Sequence, residues 1–225
     1  MLQVFHHDPV DLGYSVLNCE TTDLARYYFT PTGKKYPSIT TVLSLIGEDS
    51  LNNWKNAVGK EEADRIGRRA AERGQTVHSL AEKFIKNEYP DCSGIMPHFV
   101  ASFNSIRPIL QKRLNNIRLQ EKPLYSDHLE IAGRTDIIGE WDGLLSAVDI
   151  KTSAKVKTKE NISAYFMQEC GYSIMFEERT GIPVSQLVTV IAVDFNEPLI
   201  FIQKRDDWVK PLLETRKKYK ELYGI

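Results

Sequence analysis

Residues Ala132–Ser153 read AGRTDIIGEWDGLLSAVDIKTS. Asp142-Gly143 is a two-residue hairpin signal between two runs rich in β-branched residues. An even-length turn centred there sets Asp136 directly across from Asp149, and Arg134 across from Lys151. Alternation then puts Asp136, Ile138, Asp149 and Lys151 on one face. Ile137, Val148 and Ile150 take the other, where they can pack on helices. Directly opposed Cβ atoms lie roughly 4.5–5.5 Å apart, and like charges so placed repel. Two readings follow. Either a divalent cation with oxygen ligands sits between the aspartates beside Lys151, or the hairpin is a solvated polar face at a sheet edge.

Downstream of Gln120 the hydrophobic period is two, predicting strands over 121–128, 133–141 and 144–152. A helix over 161–180 stopped by Gly181, strands over 186–194 and 199–204, and a closing helix over 206–222 complete the chain. Upstream the period is helical: Leu51, Trp54 and Val58, then Val77, Leu80, Ala81 and Phe84. Gly59, Gly67 and Gly74 divide 50–87 into two or three helices. A further helix over 97–116 carries Phe99, Phe103, Ile106, Leu110 and Leu114 on one face, with a kink at Pro108. Tyr27–Phe29 and Lys34–Tyr36 flank the turn Thr30–Gly33 as a hairpin, and 40–46 reads as a short helix. The fold class is therefore α/β, a mixed central sheet flanked by helices in the order αβββαβ behind a mainly helical N-terminal extension. One domain over 1–225 is expected, with the hairpin and helices in 1–117 and the sheet core in 118–225.

The 225 residues are 42% hydrophobic and 26% charged, enough to bury a sizeable core. No apolar run nears the ~20 residues of a membrane span. The N-terminus also shows no basic-then-apolar leader, so a cytoplasmic location is expected. Cys19, Cys92 and Cys170 are odd in number and widely spaced, which fits a reducing compartment and excludes a four-cysteine zinc or iron–sulphur site. With a net charge of −1, contact with nucleic acid has to come from local basic patches. Lys151, Lys155, Lys157 and Lys159 follow the hairpin, while Arg65, Arg68, Arg69 and Arg73 precede His78. A charge run alone is a solvated face; two runs flanking one place fit phosphate contact. His78 lies one helical turn from Glu82, Gln168 and Tyr172 project together at i,i+4, and Glu121 opens the first strand. Each of these also has an ordinary surface or hydrogen-bonding explanation.

Taken in order, His78, Gly133-Arg-Thr-Asp136, Asp149-Ile-Lys151 and Gln168-Glu-Cys-Gly-Tyr172 resemble the motifs of the PD-(D/E)XK nuclease superfamily and, within it, the RecB-like exonucleases. Thr135 stands where the superfamily name has proline. Tyr36-Pro-Ser-Ile-Thr40, Gly74-Gln-Thr-Val-His78 and Glu121-Lys-Pro-Leu-Tyr125 are similar to a narrower group of mitochondrial genome-maintenance and phage exonucleases. The resemblance implies a restriction-endonuclease-like core and Mg²⁺- or Mn²⁺-dependent hydrolysis of DNA, single-stranded and from a free end, without an iron–sulphur cluster. A double-strand 5′→3′ exonuclease of the phage recombination type and a non-catalytic DNA-binding module are the alternatives.

By the same resemblance, Asp136, Asp149, the Ile150 carbonyl and His78 hold the cation, and the imidazole tilts the site towards Mn²⁺. Lys151 orients or helps deprotonate the attacking water and stabilises the transition state. Glu121 orients a water at the cation. Gln168 and Tyr172 position the nucleic-acid backbone, and Thr152 and Lys155 contact it. Ser38 and Thr40, at the start of the short helix, would bind a phosphate, and the helices of 50–116 would arch over the strand. A bacterial or phage-infected cell, with replication or recombination proteins as partners, is the setting this implies.

Overall fold

The structure is a computed structural model that describes residues 4–22 and 25–225. Asp142 and Gly143 both have positive φ (53° and 80°), the left-handed pair that a tight two-residue hairpin requires. They join β5 (Ile131–Trp141) to β6 (Leu144–Ser153), with Trp141 opposite Leu144 and Ile137 opposite Val148. Strand β4 (Leu114–Ser126) lies antiparallel on the outer side of β5. After β6 the chain passes through a short 3-10 turn and α5 (Ser163–Thr180), ended by Gly181 at φ 72°. It returns as β7 (Gln186–Val193), parallel to β6, and β8 (Leu199–Lys204) closes the sheet. The result is a mixed five-stranded sheet in the order β4-β5-β6-β7-β8.

Both sheet faces are covered. On one, Ile137, Val148, Ile150, Val188 and Val190 pack on α3 (Lys60–Ile85) and α4 (Pro97–Arg113) through Val77, Leu80, Phe103 and Ile106. On the other, Ile131, Ile138, Ala147 and Leu187 pack on α5, on α1 (Ile39–Leu43) and on α6 (Asp206–Tyr223). The expected α/β architecture is the one observed. A small sheet of β1 (Asn18–Thr21), β2 (Arg26–Phe29) and β3 (Lys35–Pro37) seats Tyr28 and Tyr36 on Tyr125 and Ala132, beside the start of β5.

Some expectations move. The stretch 50–87 forms two helices, α2 (Glu48–Val58) and α3, parted at Gly59 with φ 86°. Gly67 and Gly74 stay inside α3, because neither needs a positive φ. Strand β4 begins at Leu114, so the preceding helix stops at Arg113 rather than at 116.

From Arg73 onward α3 crosses the sheet strand by strand. Arg73 binds Asp194 just beyond β7, and Gly74 lies beside Thr152 on β6. His78 reaches Asp136 on β5, and the Glu82 carbonyl accepts from Gln120 on β4. The half of α3 before Arg73 is almost wholly exposed and projects past the sheet.

Candidate active site

The ladder between β5 and β6 ends at Ile137–Val148, one step short of the aspartates. Beyond that step β6 stays paired with β7 while β5 stays paired with β4, so the two strands splay. The gap would orphan the Ile150 N–H, and buried backbone donors find partners. Asp136 supplies one, its Oδ2 accepting from Ile150 N at 3.0 Å. Asp136 and Asp149 are therefore not a ladder pair. Nor does Arg134 face Lys151: it is paired with Pro123 on β4, and its Nε lies 2.8 Å from Glu121 Oε2.

The carboxylate in register with Asp136 comes from the other neighbouring strand. Gln120 pairs with Ile137 and Lys122 with Thr135, which leaves Glu121 between them opposite Asp136. Glu121 has φ 52°, a left-handed conformation rare for a strand residue, and it interrupts the ladder at that point. Its carboxylate, one carboxylate oxygen of Asp136 and one imidazole nitrogen of His78 lie within 4.8 Å of one another. His78 Nδ1 is 3.4 Å from Asp136 Oδ2. Burial, with the charge of Asp136 adding to it, pushes Glu121 up to about 7, against the pull of Arg134. Opposed carboxylates thus do occur here, as Glu121 and Asp136, with Glu121 half-buried rather than solvated.

Asp149 lies deeper, 1% exposed. Lys151 Nζ sits 2.5 Å from its Oδ2, and Gln168 Nε2 donates to its Oδ1 at 3.3 Å. Burial pushes Asp149 up to about 6, and the charge of Asp136 adds to that, while Lys151 opposes both. Burial pulls Lys151 down, but Asp149 and Asp136 outweigh it and hold the amine above its ordinary value. At neutral pH the pair is a carboxylate and an ammonium. The Lys151 ammonium also stands 5.3 Å from the centre of the Tyr165 ring. Behind Asp149, Glu169 is fully buried and accepts from Thr189 Oγ1; burial and the Asp149 charge raise it well above the usual carboxylate range.

Helix α5 meets the sheet through two glycines. A Cβ on Gly133 would lie 2.8 Å from Tyr172 Cε1, and one on Gly171 would overlap Ile39 Cδ1. Gly133 therefore admits the buried Tyr172 ring onto β5, and Gly171 admits α1 onto α5.

A cleft of about 460 Å³ collects most of the expected residues: His78, Glu121, Asp136, Gln168, Tyr172, Ser38 and Thr40. Asp149, Lys151 and Ile150 lie beneath it. The Ile150 side chain belongs to the core under α3, and Thr152 faces Gly74. Lys155 is exposed beyond the end of β6.

Several expectations change here. Helix α1 has only five residues, and Ser38 Oγ is already used as its cap, accepting from Thr41 N at 3.0 Å. Arg73 is buried against Asp194, Nη1 to Oδ2 at 2.6 Å, and Arg65 pairs with Glu62, so neither adds to a free basic patch. The cleft also includes Arg26, Tyr28, Gln75, Ser79 and Glu82, which the sequence reading did not place there as a group. Gln75 and Glu82, three before and four after His78, follow from helical spacing around it, and Ser79 lies four after Gln75. Arg26 and Tyr28 come from a strand some fifty residues away, and no local pattern announces them.

No protein-family model and no curated protein matches the chain. Among solved structures it is similar to a protein from Eubacterium rectale that was provisionally assigned as an exonuclease when its crystal structure was determined at 2.19 Å, with 12% identity and a TM-score of 0.46. The match covers 65% of this chain and 64% of that one, slightly under two thirds of its length.

Proposed function

We propose that the protein is a divalent-metal-dependent deoxyribonuclease that removes nucleotides from a free end of single-stranded DNA. The observation that carries this reading is the convergence of His78, Glu121 and Asp136 in one cleft, directly above a buried Asp149–Lys151 pair. One imidazole and two carboxylates suit Mn²⁺ or Mg²⁺. Burial and the Asp136 charge raise Glu121, and a divalent cation held by both carboxylates would offset each of these effects. His78, Glu121 and Asp136 would hold the ion, with Asp149 below them.

Once bound, the ion would neutralise charge on the scissile phosphate and make an attacking water more acidic. Lys151, kept as an ammonium, donates to that water or to the phosphate and stabilises charge as it builds. Gln168 fixes Asp149 from above. Arg26 and Arg134 on the cleft wall supply phosphate contacts, and Ser38 and Thr40 line the same wall. Arg26 and Tyr28 of the small sheet also line the cleft, beside Gly133; the preference for a free end is what the closed circle in the following test decides.

The test uses end-labelled linear single strand, the same strand as a closed circle, and linear duplex. Each is incubated with Mg²⁺, Mn²⁺ or EDTA, beside Lys151→Ala. Metal-dependent loss of the linear single strand, absent in the variant, is expected. Preferential loss of duplex would replace this reading with a recombination-type exonuclease, and binding of DNA without cleavage would replace it with a non-catalytic module.

A further inference from the structure

The turn from β7 to β8 carries a side chain that the fold does not use. Phe195 is 96% exposed and has φ 58°, a conformation that favours glycine or asparagine and strains an aromatic residue. Strain and exposure together, with no packing in return, mark a position held for contact with something else.

Hydrogen bonds and an ion pair hold the turn. Asp194 N donates to Ser153 O at 2.9 Å, and Asn196 Nδ2 donates to Asp194 O at 2.9 Å. Asp194 Oδ2 is clamped by buried Arg73. Beside Phe195 opens a cavity of about 540 Å³ lined by His98, Ser102, Ser105, Asn196 and Glu197. Its walls offer an aromatic face together with hydrogen-bond donors and acceptors, and His98 Nε2 has no partner among the described residues. One helical turn before Arg73, on the same face of α3, Arg69 is exposed; Lys155 is exposed at the neighbouring strand end. No described acidic group pairs with either.

An aromatic platform, mixed polar groups and flanking cations are the chemistry of a stacked nucleobase with its phosphates. We propose that Phe195 and this cavity form a base-stacking subsite for the single strand that runs on from the catalytic cleft. The proposal rests on the nuclease reading above. From strand spacing and rise, Phe195 lies roughly 20 Å from Asp136, several nucleotides along the strand.

The experiment measures KM and kcat on a series of single-stranded oligonucleotides in which one abasic residue is moved stepwise away from the cleaved end. Wild type is compared with Phe195→Ala, Phe195→Trp and Phe195→Asn. On the intact strand Phe195→Ala raises KM about 5- to 150-fold, with kcat held, and Phe195→Trp restores it. In wild type an abasic residue at one position reproduces that rise, and Phe195→Ala is blind to it there. Phe195→Asn relieves the backbone strain, so its thermal stability equals or exceeds wild type while KM still rises; that separates binding from folding. An unchanged KM in Phe195→Ala, or abasic sensitivity identical in wild type and variant, overturns the subsite and leaves the nuclease reading standing. A wild-type protein that neither binds nor cuts single-stranded DNA overturns both.

Discussion

Replacing Glu121 by glutamine is expected to stabilise the metal-free protein while abolishing its response to divalent cations. Glu121 is raised from the ordinary glutamate value of 4.5 to about 7 by burial and by Asp136. The unfolded chain releases this proton near 4.5, and the folded chain holds it to about 7. Between those values the folded state binds more protons, so wild-type stability falls as pH rises, and the full penalty persists above about 7. At about 1.4 kcal/mol for each tenfold change, that penalty is about 3 kcal/mol. Glu121 remains 19% exposed, and glutamine forfeits an ion pair to the largely exposed Arg134. Allowing for both leaves a net gain of about 1–2 kcal/mol. For a chain of this length the melting temperature should rise about 2–8 °C.

The measurement is thermal unfolding of wild type and Glu121→Gln in EDTA at about pH 8 and about pH 4.5, repeated at the higher pH with Mn²⁺. The variant should lead at the higher pH and come within a few tenths of a kcal/mol of wild type at the lower, where the folded carboxyl is protonated and the unfolded one about half so. Mn²⁺ should raise the wild-type midpoint and barely move the variant, since binding to the native state alone is what stabilises. A variant no more stable than wild type in EDTA at about pH 8, or one that keeps the wild-type response to Mn²⁺, refutes the ligand assignment of Glu121.

Lys151→Met should abolish cleavage and leave Asp149 charged and unpaired at 1% exposure; removing one partner of such a pair costs about 3–5 kcal/mol. Urea unfolding should show the loss to be larger at about pH 8 than at about pH 5, where Asp149 takes a proton. Gly133→Ala drives a methyl group against the Tyr172 ring and should cost about 1–3 kcal/mol of stability. Combined with Tyr172→Ala it should cost less than the sum of the two single changes. Arg73→Ala breaks a largely buried pair with Asp194 and should speed amide hydrogen exchange at Asp194–Asn196 more than elsewhere in the sheet.

Local rules carried the sequence reading a long way. Asp142-Gly143 determined the β5–β6 register as far as Ile137–Val148, and the apolar faces of 77–84 and 99–110 pack where their spacing put them. Errors began where tertiary structure overrode a local rule. Glycine divides the helical stretch only at Gly59, where the chain needs a positive φ, and a pattern search cannot tell that glycine from Gly67 or Gly74. Arg73 read as one more arginine in a basic run because its partner lies 121 residues away.

The misplaced carboxylate pair has the same origin and a more instructive form. The tight turn determines register on one side of β5 only, and across it the residue opposite Asp136 would be Asp149. Strand β4 joins β5 through the longer turn Asp127–Glu130, where Ser126 faces Ile131 and Glu130 takes φ 52°. No two-residue signal marks that turn, so the register placing Glu121 opposite Asp136 could not be derived from sequence. The underlying physics is indifferent to which neighbouring strand supplies the second charge. Two carboxylates forced together on adjacent strands need a cation or a proton. Glu121, raised to about 7, meets that need with a proton when no cation is bound. A resident divalent ion would release that proton into solvent. Binding of Mn²⁺ by wild type should therefore tighten as pH rises towards about 7 and level off above it, whereas Glu121→Gln should show no such response. Calorimetric titrations in buffers of different ionisation enthalpy would detect the proton directly, and a wild-type affinity flat across that range would leave Glu121 as a buried carboxyl and nothing more.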